Sequence, residues 1–510
     1  MADGTDRVRN VELLAFANDT VDLAAPTGAI ANNDAFVIDE NDAFSGTLFG
    51  DNGFGFDDDL GGPPLVIAEV NGSALNLGTT IELESGALLT VNADGTFDYD
   101  PDGSFDETPL PTTGASNTPG MDTFSYTLEG GSTAVVTITL EGLDTDDLIL
   151  GTDGADILTP DGGTDEAQGG LGDDTYFINS SGHLVVEAAG EGQDQIIASV
   201  SYVLGSNSYV EVMQTSDLTG LSPINFTGSA VAQQIYGNAG ANVLDGAGGH
   251  DRIFGEGGAD ILLGGAGNDE LRGGAGTDNL NGGAGADYLD GGADADIMLG
   301  GAHSDTYIVN DLGDVVVESA SAGVDVVESS LAAYTLTTNV EQLRLVGPGH
   351  SDGTGNNSAN RIFGNSGNNV LSGGAGNDYV DGGAGRDFLY GGSGADVLIG
   401  GAGGRDQFLF TSSLAPGNVD TIADFNTTNE RIGLLQSVFT GIAGGLGTLP
   451  ASAFKLTTAP LDANDRILYD QARGDIYFDP DGSGGAAARL FASVADGTVL
   501  NNQDFFIFGA

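Results

Sequence analysis

Residues 246–308 read GAGGHDRIF (246–254), GEGGADILL (255–263), GGAGNDELR (264–272), GGAGTDNLN (273–281), GGAGADYLD (282–290), GGADADIML (291–299) and GGAHSDTYI (300–308). These are consecutive copies of one nine-residue phrase, G-G-x-G-x-D-x-hydrophobic-x, and a degenerate copy, GNAGANVLD (237–245), precedes them. Position 8 is always apolar: Ile253, Leu262, Leu271, Leu280, Leu289, Met298 and Tyr307. One apolar residue in nine cannot line a helix, but it can line one face of a three-residue strand. Two such strands and two turns make one coil of eighteen residues. Stacked coils repeat at strand spacing, about 4.8 Å, so residues eighteen apart lie above one another. Glycines at positions 1, 2 and 4 supply the positive φ and close backbone approach that such turns need.

The same stacking gathers the position-6 aspartates into two columns. Neighbouring carboxylates 4 Å apart repel by about 1 kcal/mol in water and by about 4 kcal/mol at an effective dielectric near 20. The only lysine is Lys455, so no ammonium groups stand by to neutralise them. A cation is therefore expected. Ca²⁺ takes six to eight oxygens from carboxylates and main-chain carbonyls, which this turn offers, whereas Mg²⁺ holds its waters in a tighter octahedron. Zn²⁺ ordinarily recruits His or Cys. The competing reading is a metal-free solenoid with hydrogen-bonded aspartates; the charge repulsion argues against it.

The expected metal sites are pairs of aspartates eighteen residues apart. In the central block these are Asp251/Asp269, Asp260/Asp278, Asp269/Asp287, Asp278/Asp296 and Asp287/Asp305. A first block (151–177) offers Asp156/Asp174, and a third (355–408) offers Asp378/Asp396. Asp387/Asp406 falls one residue out of register, because GGAGGRD (400–406) carries an extra glycine. Asn242, Asn360 and Asn369 hold position 6 in leading repeats, which suits caps better than ligands. Asp294 and His303 replace the position-4 glycine, and both residue types tolerate left-handed backbone better than most.

The rest of the chain divides around these blocks. Residues 1–27 contain NVELLAFANDTVDL, similar to 339–345 (NVEQLRL), and read as the tail of a preceding, truncated unit. Residues 28–145 alternate with strand period between turns. LLTVNADGTFDYDPDG (88–103) predicts a hairpin at Asp94-Gly95, and DTFSYTL (122–128) with AVVTITL (134–140) a second at Gly130-Gly131. Short strands so spaced predict a β-sandwich. Residues 146–236 are the first block and an insert, 237–308 the central roll, 309–354 a second insert, 355–408 the third block, and 409–510 a β-rich cap. The inserts are copies: Tyr176 corresponds to Tyr307 and Glu187 to Glu318, each 131 residues apart. The fold class expected is all-β.

Composition narrows the function. The 510 residues carry a formal net charge of −62 with 13 basic residues. Nucleic acid needs clustered Lys or Arg, so it is excluded as a partner; anionic membrane surfaces are disfavoured too. Hydrophobic residues form 40% of the chain at regular intervals, which opposes disorder despite the acidity. There are no cysteines, hence no disulfides or thiolate sites. No apolar run is long enough for a transmembrane helix, and MADGTDRVRN lacks an apolar signal-peptide core. No catalytic signature is present: His183, His250, His303 and His350 form no H-E-x-x-H, and no G-x-S-x-G or Gly-Lys phosphate loop occurs. DYDPDG (98–103) and DPDGSG (479–484) read as turns, with weak calcium sites as the alternative, and Asp57-Asp58-Asp59 as a solvated acidic turn in preference to an interdomain calcium site.

The nonapeptide resembles that of the RTX (haemolysin-type) calcium-binding β-roll. The resemblance implies a right-handed parallel β-roll solenoid in several blocks, multiple Ca²⁺ ions, folding on calcium binding, and type I secretion from a Gram-negative bacterium. Residues 28–142 resemble cadherin-like/VCBS-type immunoglobulin-fold modules through VNADGTFDYDPDGSF and DTFSYTL. Residues 409–510 resemble the region that follows RTX repeats, through VDTIADFN (419–426) and the ending DFFIFGA, and this implies an uncleaved C-terminal secretion signal. The expected function is a secreted, non-enzymatic calcium-binding protein, part of an extracellular or surface adhesin. Its expected partners are calcium ions, the type I secretion machinery, and a carbohydrate or protein of the cell surface or matrix. Two alternatives stay open: the calcium-binding and secretion region of a larger RTX enzyme (protease, lipase or polysaccharide-modifying), and a surface-layer protein.

Overall fold

In the computed structural model the described residues are 14–16 and 19–21 (backbone only), 29–39, 42–50, 52, 55–58, 63–104, 120–141, 146–160, 162–320, 323–459, 461–482 and 485–509. Among them every regular element is a β-strand or a short 3₁₀ turn. Residues 1–197 and 198–510 form two compact units.

In the first unit, Leu14–Phe16 and Asp19–Val21 form an antiparallel pair. This differs from their sequence relative near residue 339, where Gln342–Leu345 runs parallel between its neighbours. Beyond it stand two four-stranded sheets. Asp34–Asp39, Thr133–Glu141, Gly120–Leu128 and Ile67–Val70 form one, in that spatial order. Phe44–Thr47, Thr96–Asp100, Leu88–Val91 and Ile81–Glu82 form the other, antiparallel throughout. Both expected hairpins are present, and Gly95 takes φ +84° at the first turn. Alternation puts Phe124, Tyr126, Val136 and Ile138 of one sheet and Leu89, Val91, Phe97 and Tyr99 of the other into one core. Phe97 bridges the layers, 5.1 Å from Phe36 and 5.9 Å from Phe124 between ring centres. The same unit then begins to coil: Leu148–Leu150, Glu166–Gln168 and Leu184–Val186 stack in parallel at eighteen-residue intervals, as Ile157–Leu158 and Thr175–Ile178 do.

In the second unit, successive strands alternate between two parallel sheets. Arg252–Phe254, Glu270–Ala275, Tyr288–Ala293 and Thr306–Val309 are neighbours in one. Val243–Asp245, Ile261–Ala266, Asn279–Ala284, Ile297–Ala302 and Val315–Val317 are neighbours in the other. Register follows the nonapeptide: Ile253 lies over Leu271, Leu289 and Tyr307, and Leu262 over Leu280, Met298 and Val316. All of these but Val316 are 0% exposed. Burying each large apolar side chain contributes about 1.5–3 kcal/mol, and the strands are too short to be stable alone. The coil must therefore form as a stack.

The coiling persists where the glycine phrase stops. Val326–Ser329 lies on Thr306–Val309, Gln342–Leu345 on Val326–Ser329, and Arg361–Phe363 on Gln342–Leu345. The paired residues Thr306, Val326, Gln342 and Arg361 are separated by 20, 16 and 19 residues. Apolar residues facing inward keep the strands paired while the turns vary in length. After residue 409 the pattern becomes mixed. Arg431–Leu435 is flanked by Gln407–Phe410 and by the last strand, Phe505–Phe508, whose Phe505 is fully buried. The DFFIFGA ending is thus built into the sheet.

Candidate metal centre

The eight aspartate pairs expected from the sequence are each joined by a backbone hydrogen bond. The N–H of Asp251, Asp260, Asp269, Asp278 and Asp287 donates to Oδ1 of Asp269, Asp278, Asp287, Asp296 and Asp305 respectively, each at 2.8 Å. Asp378 donates in the same way to Asp396, and Asp156 to Asp174 at 2.7 Å. The register slip at Asp406 does not break the column. Asp387 N–H still donates to Asp406 Oδ1 at 2.8 Å, because the extra residue is absorbed in the turn, where Gly403 takes φ +105°.

One oxygen of each carboxylate is thereby used. The other, Oδ2, is buried without a hydrogen-bond partner in Asp174, Asp251, Asp260, Asp269, Asp278, Asp287, Asp296, Asp305, Asp378, Asp387 and Asp396. A buried acceptor left unmade costs about 1–3 kcal/mol, and more when charged. A row of them is untenable for an anionic chain without cations or protons. Burial, opposed by the single backbone N–H, pushes Asp251, Asp260, Asp296, Asp305 and Asp387 up to about 7. Asp287 and Asp378 rise to about 6, and Asp269, Asp278, Asp396 and Asp406 also rise, with burial the largest cause. Each orphan oxygen faces the glycine that opens its own repeat, and for Asp251, Asp260, Asp269, Asp278, Asp378 and Asp387 the carbonyl of the glycine one coil on lies beside it. At Gly255, for example, a methyl group would meet Asp260 Oδ2 and, at 2.6 Å, Gly273 O. Carboxylate and carbonyl oxygens converging on a glycine cradle form an all-oxygen donor set, which suits Ca²⁺.

Asp406 stands outside this row, and so does Asp156. Asp156 is only half-buried, and its Oδ2 accepts from the Thr152 N–H at 2.6 Å and hydroxyl at 2.8 Å. The asparagines behave as caps. Asn242 Oδ1 accepts from Asn238 N–H at 2.9 Å while its Nδ2 donates to Ile224 O at 2.8 Å. Asn360 and Asn369 likewise donate to Val340 O and Ser351 O. An amide supplies the proton where a carboxylate would need a cation. Asp294 and His303 do adopt left-handed backbone, at φ +76° and +83°.

Sequence spacing missed several members. Asp147 N–H donates to Asp165 Oδ1 at 3.0 Å, a pair in the first block's other column, with His183 Nδ1 next in line at 3.3 Å from Asp165 N. Within and after the inserts the column continues through Asp194, Asp314, Asp325 and Asp420, which accept from Asp174, Asp296, Asp305 and Asp396. Their signal was the surviving tripeptide Asp-x-apolar, as in Asp194-Gln-Ile196 and Asp325-Val-Val327, without the opening glycine pair of the phrase. Glu187 and Glu318 were seen only as marks of duplication. They join Asp174/Asp194 and Asp305/Asp325 in carboxylate clusters whose ligand atoms lie within 4.8 Å of one another. Burial pushes Glu187 up to about 8.

Among the described residues, the other acidic motifs hold no such orphan row. Asp57, expected in a solvated turn, is buried and accepts from Tyr126 Oη at 2.8 Å and Asn32 N–H at 2.7 Å. The tyrosine made the difference, approaching from a strand distant in sequence. Asp59 lies outside the described residues. Asp479 Oδ1 binds the N–H groups of Asp481 and Gly482, as a turn residue does.

The RTX calcium-binding nonapeptide repeat family matches residues 141–176, 236–271, 272–307, 354–389 and 376–404. No curated protein matches the chain. Among solved structures, a subunit of the mannuronan C5-epimerase of Azotobacter vinelandii is similar at 24% identity. The match covers 32% of this chain and 80% of that one, with a TM-score of 0.20. The chain carries RTX calcium-binding nonapeptide repeats, and these repeats bind calcium ions, several to each block.

Proposed function

We propose that the stacked position-6 aspartates are the calcium ligands, and that calcium occupancy decides whether the roll folds. The observation that carries this is the row of buried Oδ2 atoms without partners. Asp251, Asp260, Asp269, Asp278, Asp287, Asp296 and Asp305 hold the ions of the central block; Asp378, Asp387, Asp396 and Asp406 those of the third; Asp174, with Asp156 as a weaker partner, that of the first. A ligand that binds only the native state adds about 2.7 kcal/mol per site at a hundred times its Kd. Several sites filled together then exceed the usual 5–15 kcal/mol stability of a domain. Circular dichroism of the full chain tests this: calcium should convert a largely disordered chelated chain to β-structure. An unchanged spectrum and melting point on chelation refutes it.

The protein works outside the cell as a non-enzymatic, calcium-stiffened adhesin that leaves a Gram-negative cell by type I secretion. Two-sheet packing in residues 29–141 and its resemblance to cadherin-like modules support the adhesive part, since such modules space or bind at surfaces. Low cytosolic calcium keeps the roll open for passage, and external calcium closes it. No helix among the described residues is long and apolar enough to cross a membrane. Co-expression with a type I exporter tests the route: the full chain should reach the medium, and a chain lacking 409–510 should stay inside. Retention of the protein on cell-surface glycan or matrix protein in calcium, lost in chelator, tests adhesion. Turnover of peptide, ester or polysaccharide substrate by the purified chain would sink the non-enzymatic reading.

A further inference from the structure

Inside a block, the glycine that opens a repeat is faced by its own aspartate and by the carbonyl oxygen of the glycine eighteen residues on. A methyl on Gly264 would meet Asp269 Oδ2 at 2.5 Å and Gly282 O at 2.6 Å, and one on Gly373 would meet Gly391 O at 2.5 Å. At two places a glutamate stands where that glycine would be. Counting eighteen from Gly169 gives Glu187, and eighteen from Gly300 gives Glu318. Glutamate holds the register position of the opening glycine in both, directly after the strands Leu184–Val186 and Val315–Val317.

The surroundings of the two glycines match this substitution. A methyl on Gly169 would collide with Asp174 Oδ2, and would meet Glu187 Oε1 and the Tyr176 hydroxyl at 2.5 Å. A methyl on Gly300 would collide with Asp305 Oδ2 and the Tyr307 hydroxyl. Each tyrosine donates to its glutamate's Oε1 and accepts from its glycine's N–H, at 2.6 Å for Tyr176 and 2.7 Å for Tyr307. A third carboxylate, Asp194 or Asp325, completes each cluster. Asp174 and Asp305 are each 1% exposed, and their Oδ2 atoms, aimed at the glycine, have no hydrogen-bond partner. The third block ends differently: Phe408 stands where the tyrosine would be, and Glu430 reaches Gly400 from a later turn.

We propose that Asp174–Glu187–Asp194 and Asp305–Glu318–Asp325 are block-closing calcium sites, separate in kind from the two-aspartate sites along the columns. The position-1 glutamate substitutes a carboxylate for the carbonyl that the next glycine turn would have offered. Three carboxylates around one cation oppose its charge more fully than two, and six to eight oxygens suit Ca²⁺. The tyrosine hydroxyl holds the glutamate toward the glycine. The site then ties the first coil outside the G-G-x-G phrase to the last coil that carries it. This rests on the calcium reading of the roll.

Equilibrium dialysis of the full chain against calcium counts the ions. Glu318→Gln and Glu187→Gln should each remove one ion per chain, and the double variant two; an unchanged count overturns the proposal. Terbium in place of calcium gives a second readout, because the chain has no tryptophan and the two tyrosine hydroxyls lie against the sites. The pair Tyr176→Phe and Tyr307→Phe keeps every carboxylate. It should hold the parent's ion count and lose most of the tyrosine-sensitised terbium emission, and full emission overturns the proposal even if the glutamine variants do not fold. A chain that binds no calcium at all refutes the reading of the columns. One that fills the columns and is indifferent to Glu187 and Glu318 refutes the closing sites alone.

Discussion

The N–H of Asp269 donates to Oδ1 of Asp287, one coil on, at 2.8 Å, and Oδ2 of Asp287 is buried with no partner. A single side chain thus has two tasks. One oxygen tethers the neighbouring coil, and the other is the oxygen proposed to meet a cation.

Those tasks separate by substitution. Asp287→Asn keeps an acceptor of the same size but removes the charge, so the roll should fold in excess calcium with fewer ions bound. Asp269→Ala with Asp287→Ala removes both tasks at 251/269, 269/287 and 287/305, all in one column. The pairs 260/278 and 278/296 should survive. Calorimetric titration that finds all central binding lost, or none, contradicts the two-column arrangement.

Acidity should act on the chelated chain in the direction opposite to its action on the loaded one. Burial raises Asp251, Asp260, Asp296, Asp305 and Asp387 to about 7, against about 3.9 in the unfolded chain. The folded, metal-free roll therefore binds more protons than the unfolded chain. The stability these five groups contribute is fully present below about pH 3.9 and is lost as pH rises through about 7. In chelator, β-structure should grow as pH falls from the alkaline side. With calcium, protons compete for the same oxygens, so calcium affinity should fall over the same interval. A chelated chain more stable at alkaline than at mildly acid pH would refute this.

Glycine at position 4 should be irreplaceable where coils touch. Gly267 takes φ +143°, and a methyl there would collide with the carbonyl oxygen of Gly249. Gly267→Ala should lower the melting temperature in calcium far more than a surface change. The opposite holds where non-glycine residues already bear left-handed backbone: Ala247 at φ +65° and Glu256 at φ +72°. Ala247→Gly and Glu256→Gly should each stabilise by roughly 1 kcal/mol, the strain of an L-residue in that region. Thermal melts in saturating calcium read both effects.

The capping asparagines should resist charge. Asn242 Nδ2 donates to Ile224 O and Asn238 Oδ1, and neither acceptor can bind a carboxylate. Asn242→Asp should cost about 1–3 kcal/mol in chelator through unmade hydrogen bonds. Calcium should recover part of that loss, since a cation can stand between the oxygens. Urea unfolding with and without calcium measures the difference.

Much of this was legible because the repeat is periodic in two ways at once. Leu262, Leu280 and Met298 announce a buried face, and Asp260, Asp278 and Asp296 a stack, before any coordinates. The extra glycine before Asp406 looked like a break in that stack, but a turn absorbs one residue at little cost while the paired strands cannot slip. Asp194, Asp314 and Asp325 escaped notice because their turns lack the full G-G-x-G spacing, although their Asp-x-apolar strands obey the same inward alternation. Asp57 was misjudged because the hydroxyl that buries it belongs to Tyr126, a residue no local pattern connects to it.

The amino-acid sequence by itself determined the coil of eighteen residues, the columns of aspartate and the need for an oxygen-loving cation. All three follow from local geometry repeated at a constant interval. Only the tertiary structure decided which carboxylate oxygen is spoken for and which is orphaned, and that the coil continues through turns of irregular length. It also placed Glu187 and Glu318 over Gly169 and Gly300. Those facts depend on which backbone group of one coil meets which side chain of the next. That meeting is settled by strand pairing across the stack, and no local stretch of sequence contains it.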